Sequence, residues 1–121
     1  MTYDPLSDVV DEPLNVGAAA IAKLHAFRSQ SKLVNLPGVN PALERDRLSA
    51  VLNNLLDTLL LGIEGNPSKL WVLTQFQRYL VAVQQEDTEG REHFGMEVEH
   101  IMDVLGIESS DGLLTFYLGG L

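Results

Sequence analysis

The stretch LSAVLNNLLDTLLLGI, residues 48–63, decides the fold class, because Leu48, Val51, Leu52, Leu55, Leu56, Leu59, Leu60 and Ile63 recur at spacings of three and four. That is the period of an α-helix, and the apolar stripe is wider than a two-stranded seam requires. A helix touched from several sides is expected, the core's spine. Asn40-Pro41 supplies its start: the Asn side chain accepts from orphan amides, and Pro at the first helical position gives up no bonded N–H. Gly62 and Gly65 mark its end.

Working outward, Asn66-Pro67 repeats the same pair and opens a helix to about Gln85, with Val72, Leu73, Phe76, Tyr79, Leu80 and Val83 on one side. Upstream, Val16, Ala19, Ala20, Leu24 and Phe27 predict a first helix over 15–30, its alanines permitting close packing. Leu33, Val34 and Leu36 of the crossover 31–40 are expected to tuck under the bundle. Asp87 or Thr88 caps a fourth helix with Phe94, Val98, Ile101, Met102 and Leu105 buried and Gly106 as its stop. Gly90 and Gly95 inside it each cost about 1 kcal/mol against Ala, which implies a kink or a tight neighbour. After the turn 108–112, the apolar tail 113–121 reads either as a short helix capped by Ser110 or as an extended docking piece. Residues 1–14, with four acids and two prolines, read as a loosely held arm. The expectation is all-α: a single-domain antiparallel bundle over 15–121, of four main helices plus a short C-terminal apolar segment.

Length and composition agree, since 121 residues suit one core and a chain 45% apolar and 21% charged is far from the profile of disorder. The absence of cysteine excludes disulfides, thiolate ligands and a cysteine nucleophile. Asp4 and Asp8 stand where an export signal would place bases, and no apolar run approaches the roughly 20 residues of a membrane span. A cytoplasmic protein without membrane contact is the expectation.

Charge is lopsided. Nine acids lie between Glu86 and Asp111 against Arg91 alone, a net -8 of the chain's -9. Such a surface repels phosphate backbones and draws in basic proteins, and the scattered Lys and Arg offer no stripe for nucleic acid. Glu89, Glu92, Glu97, Glu99 and Asp103 are the expected steering residues, with Trp71 or Tyr117 as an apolar anchor.

Chemistry is thinner. His93, Glu97 and His100 share one helix flank at offsets of four and three, a spacing that metal ligands use, but no second Glu-x-x-His exists to complete a carboxylate-bridged site. Ser109 or Ser110 with one of these histidines would make a hydrolase, yet Ser-Ser-Asp-Gly is more economically a turn. No phosphate-binding glycine loop is present, and Gly119-Gly120 has no helix after it. No cofactor and no catalytic residue are assigned.

Glu86-Asp-Thr-Glu and the run EVEHIMDVLGIESSDG, from Glu97 to Gly112, resemble small bacterial helical domains of unknown function, over about a third of the chain. That resemblance implies a helical fold and no activity. In size and charge the chain is also similar to immunity proteins and antitoxins. The reading is a non-enzymatic domain that binds a basic protein, in the manner of an immunity or antitoxin inhibitor. The alternative is a metal or small-molecule site on His93, Glu97 and His100, and a third is a homo-oligomer that buries the apolar tail.

Overall fold

A computed structural model of the chain describes residues 3–34 and 41–119. It contains α1 (Ala18–Ser29), α2 (Pro41–Gly62), α3 (Lys69–Val83), α4 (Thr88–Leu105) and α5 (Leu113–Leu118), with no strand among the described residues. The spine is α2, packed against α1, α3 and α4, with Leu48, Leu52, Leu55, Leu56 and Leu59 essentially without solvent exposure. Each such side chain contributes about 1.5–3 kcal/mol of burial free energy. The short α5 closes the bundle against α3 and α4 through Leu113, Leu114 and Leu118. The apolar tail is therefore a helix whose leucines are buried within the chain itself. Leu121 lies outside the described residues.

Local signals place most helix ends, and long-range contacts move the rest. Asp87 accepts from the Gly90 amide at 2.8 Å to start α4, and Gly106, at φ 77°, ends it. Ser110 does accept from the Leu114 amide, at 3.2 Å. Gly90 and Gly95 are both buried, and a Cβ on Gly90 would stand 3.0 Å from the Glu44 carboxylate, so that glycine sits against a close neighbour, as expected. At α3 the cap is Ser68, accepting from the Trp71 amide at 3.1 Å, whereas Asn66 turns back to the Gly62 carbonyl at 2.9 Å. Helix formation is delayed because the chain here is engaged with the N-terminal segment: Leu14 N–H donates to Pro67 and Lys69 N–H to Glu12, at 2.7 and 2.9 Å. The expected Asn40 cap and the expected burial of Leu36 fall outside the described residues.

In α1 the helix starts at Ala18 rather than Asn15 and buries Leu24 and Phe27, while Ala18, Ala19 and Ala22 remain exposed and Ala20 is half-buried. Of the crossover, Leu33 is buried at a left-handed φ of 58°, and Val34 is exposed, against expectation. A left-handed leucine is strained, and its burial in the core is what compensates.

The arm is the largest difference between expectation and structure. Asp4 caps a short 3-10 turn, Pro5–Asp8, and accepts from Gln77 at 3.0 Å. Asp11 accepts from the Leu70 amide at 2.9 Å, and Val10 N–H donates to Asp111 at 2.9 Å. Asp111 in turn pairs with Lys69 at 2.7 Å, a lysine only 5% exposed. Pro5 is buried, and Leu6, Val9 and Leu14 pack on the core. An acidic, proline-containing segment without periodicity reads as loose, but its carboxylates and amides find partners far along the chain, at the start of α3 and in the turn before α5. The loose arm is a strap.

Candidate functional site

α4 carries the acidic residues, and its geometry sorts them. Positions 89, 92, 96, 99 and 103 advance by three and four residues and fall on one line along the helix, opposite the buried Phe94, Val98, Ile101, Met102 and Leu105. Glu89, Glu92, Glu99 and Asp103 are exposed on that line, with Met96 between them at 55% exposure. Glu86 is neutralised by Arg47, whose two nitrogens donate to its carboxylate at 2.9 and 2.6 Å, and Asp111 by Lys69. No base lies within ion-pair distance of Glu89, Glu92, Glu99 or Asp103 among the described residues. Like charges at these spacings repel, and no ion pair among the described residues relieves them. The result is an acidic ridge with a single flexible apolar side chain at its centre.

Glu97 leaves the ridge. It turns to the flank of α4 and lines an open cleft of about 460 Å³ between that helix and the end of α1. Phe27, Leu33 and Met96 give the cleft apolar walls, and His93 and His100 stand on the same side as Glu97. The His93 Nδ1 lies 2.9 Å from the Glu89 carbonyl, which can only accept, so Nδ1 carries the proton. His100 meets the Phe27 ring edge-on at 4.9 Å. Burial pushes the Glu97 carboxyl above its ordinary range, opposed only in part by the charges of His100, Lys32 and His93. Its carboxylate has no hydrogen-bond or ion-pair partner among the described residues.

Lys32 is the residue that sequence reading passed over. It is 4% exposed, donates to the carbonyls of Arg28 and Gln30 at 3.0 and 2.7 Å, and stands 5.3 Å over the Phe27 ring. It thus satisfies the open end of α1, as a lysine just beyond a helix terminus does. Desolvation holds its ammonium below the usual lysine range, Arg28 lowers it further, and Glu97 pulls it back up. The sequence signal was available: a lysine three residues beyond the last helical position.

The other expected residues fall elsewhere. Tyr117 is buried, its hydroxyl accepting from Gln77 at 2.9 Å, so it is no surface anchor; the exposed aromatic beside it is Phe116. Trp71 is half-buried with its ring against Gly62, where a Cβ would meet it at 2.5 Å. Met96 occupies the place on the acidic face that those two do not. Ser109 accepts from the Asp111 amide and Ser110 from the Leu114 amide, turn bonds both, and the cleft they share with Glu99 and Asp103 contains no histidine to serve as base. His93, Glu97 and His100 share the larger cleft, but among the described residues no three His, Cys, Asp or Glu side chains are placed to hold a metal ion. No helix among the described residues is long and apolar enough to cross a membrane.

The chain belongs to the family described as a domain of unknown function, DUF4844, whose model matches residues 15–121. The resemblance read in residues 86–112 therefore extends over nearly the whole chain. No curated protein and no solved structure matches it.

Proposed function

We propose that this member of the DUF4844 family is a non-enzymatic binding domain whose α4 ridge docks a basic segment of another protein. The observation that carries the reading is the line Glu89, Glu92, Met96, Glu99 and Asp103, exposed and free of ion pairs among the described residues, while Glu86 and Asp111 at its two ends are paired. Self-repulsion along that line is a standing cost that a cationic surface removes. The acids accelerate encounter, and Met96, adaptable and half-exposed, is the apolar contact that becomes desolvated in the complex. An inhibitor that covers a basic catalytic or nucleic-acid-binding surface of its target would use such a ridge, which is the sense in which an immunity or antitoxin role fits.

Capture from a lysate with three baits tests this. One is the native chain; one carries Glu89→Gln, Glu92→Gln, Glu99→Gln and Asp103→Asn; the third loses the same charge at Asp8, Glu12, Asp46 and Glu64, which are exposed and lie off the ridge. A basic protein retained by the native and third baits and lost by the second supports the ridge. Equal retention by all three, or equal loss from both variants, contradicts it.

A further inference from the structure

The cleft beside the ridge holds a half-buried carboxylate with no hydrogen-bond or ion-pair partner among the described residues, and that arrangement specifies an occupant more narrowly than charge does. We propose that the Glu97 cleft is a receptor for one arginine side chain of the docked basic segment, with Glu97 accepting from the guanidinium and Phe27 and Met96 flanking its stem. The inference rests on the ridge reading for its protein source, but the cleft is a separate feature with its own test.

Three observations point to a guanidinium. The carboxylate lies in a cleft of about 460 Å³, large enough for a long side chain and open to solvent. Its surroundings are amphipathic, with the Phe27 ring and the exposed Met96 beside Glu97, which matches a side chain whose stem is hydrocarbon and whose head is a planar cation. The chain's own nearby cation does not fill this role, because the Lys32 ammonium is already bound to two carbonyls at the end of α1. A guanidinium is more weakly hydrated than an ammonium and presents parallel donors to both carboxylate oxygens, so it enters a half-buried acidic site at lower cost. Burial that raises the Glu97 carboxyl's pKa means that the free protein keeps this acid at a loss of stability.

The test is a titration of the full chain with three blocked tripeptides, Ala-Arg-Ala, Ala-Lys-Ala and Ala-citrulline-Ala, read by the Met96 methyl and His100 ring signals. The arginine peptide is expected to give saturable shifts, the uncharged citrulline peptide to bind about 10-fold or more weakly, and the lysine peptide to fall between them. Glu97→Gln, close in shape to the native side chain, is expected to abolish the arginine effect, and a thermal melt of that variant confirms that it folds. The pair Glu92→Gln and Asp103→Asn, which weakens the ridge alone, is expected to leave it nearly intact. Equal shifts with citrulline, shifts that survive Glu97→Gln, equal binding of lysine and arginine, or no shift at Met96 would each overturn the assignment. Loss only in the Glu92 and Asp103 variant would place the binding on the ridge and leave the cleft without this role. Intact arginine binding beside a failed capture experiment would separate the two readings in the other direction.

Discussion

At the scale of single residues, Glu97 is the most informative side chain. Its native carboxyl is raised by burial, with His100, Lys32 and His93 opposing. A raised carboxyl contributes stability only while protonated; as pH climbs through the native value the folded state must carry a poorly solvated charge, and stability is lost. Glu97→Gln should therefore raise the melting temperature near neutral pH, and the gain should vanish once the pH falls below the ordinary carboxylate value. Melts across that range check it, and a variant less stable than the native chain at neutral pH contradicts the burial argument. Asp111 has the opposite sign. Its hydrogen bond from Lys69, then that from the Val10 amide, hold its carboxyl below the usual range, so its contribution is present above the ordinary carboxylate value and is lost as pH falls through the native one. Asp111→Asn preserves the left-handed backbone at φ 53°, which Asn tolerates, but leaves the buried Lys69 ammonium without its counter-charge. A loss of about 1–2 kcal/mol in denaturant unfolding is expected. Neither sign was legible in the sequence. Spacing placed His93, Glu97 and His100 on one flank, as found, but which carboxylate is desolvated and which is paired depends on distant residues, Phe27 and Leu33 beside Glu97 and Lys69 and Val10 beside Asp111.

At the scale of elements, helices α2 and α4 were legible because their apolar residues carry a strong 3.6 period, and the Asp87 cap and Gly106 stop are local chemistry. What was not legible was the start of α3. Asn66-Pro67 is a sound local cap signal, overridden because Pro13 and Ser68 come together in an isolated antiparallel bridge and the strap supplies the backbone partners. The Trp71 ring against Gly62 is a similar non-local fact, and it yields a prediction that helix propensity alone would reverse. Gly62→Ala should be gained helix stability by propensity, but the added Cβ would sit 2.5 Å from the ring. Overpacking of this kind costs about 1–3 kcal/mol, and the tryptophan emission should shift with it. In a Trp71→Phe background the same substitution should be near neutral; an equal cost in both backgrounds would remove Trp71 as the cause.

At the scale of the molecule, the all-α bundle followed from composition and periodicity, while the strap and the partition of charge did not. Net charge counts Glu86 and Asp111 with the rest; only the folded chain pairs them with Arg47 and Lys69 and sets four acids without ion pairs among the described residues in line on the outer face of α4. That partition turns a diffuse anionic surplus into a directed surface, with the Glu97 cleft on its flank. Surface charge of this kind acts on association rate more than on residence time, and salt screens it over a distance of about 8–10 Å near physiological ionic strength. The most direct measurement is therefore the association rate of a protein captured on the native chain, followed as ionic strength rises, for the native chain and for the fourfold Glu89, Glu92, Glu99 and Asp103 variant. The native rate should start about 10-fold or more above the variant's at low salt and fall steeply to meet it. Equal rates and equal salt slopes for the two would show that α4's acids are a wetted surface and that the partner docks elsewhere.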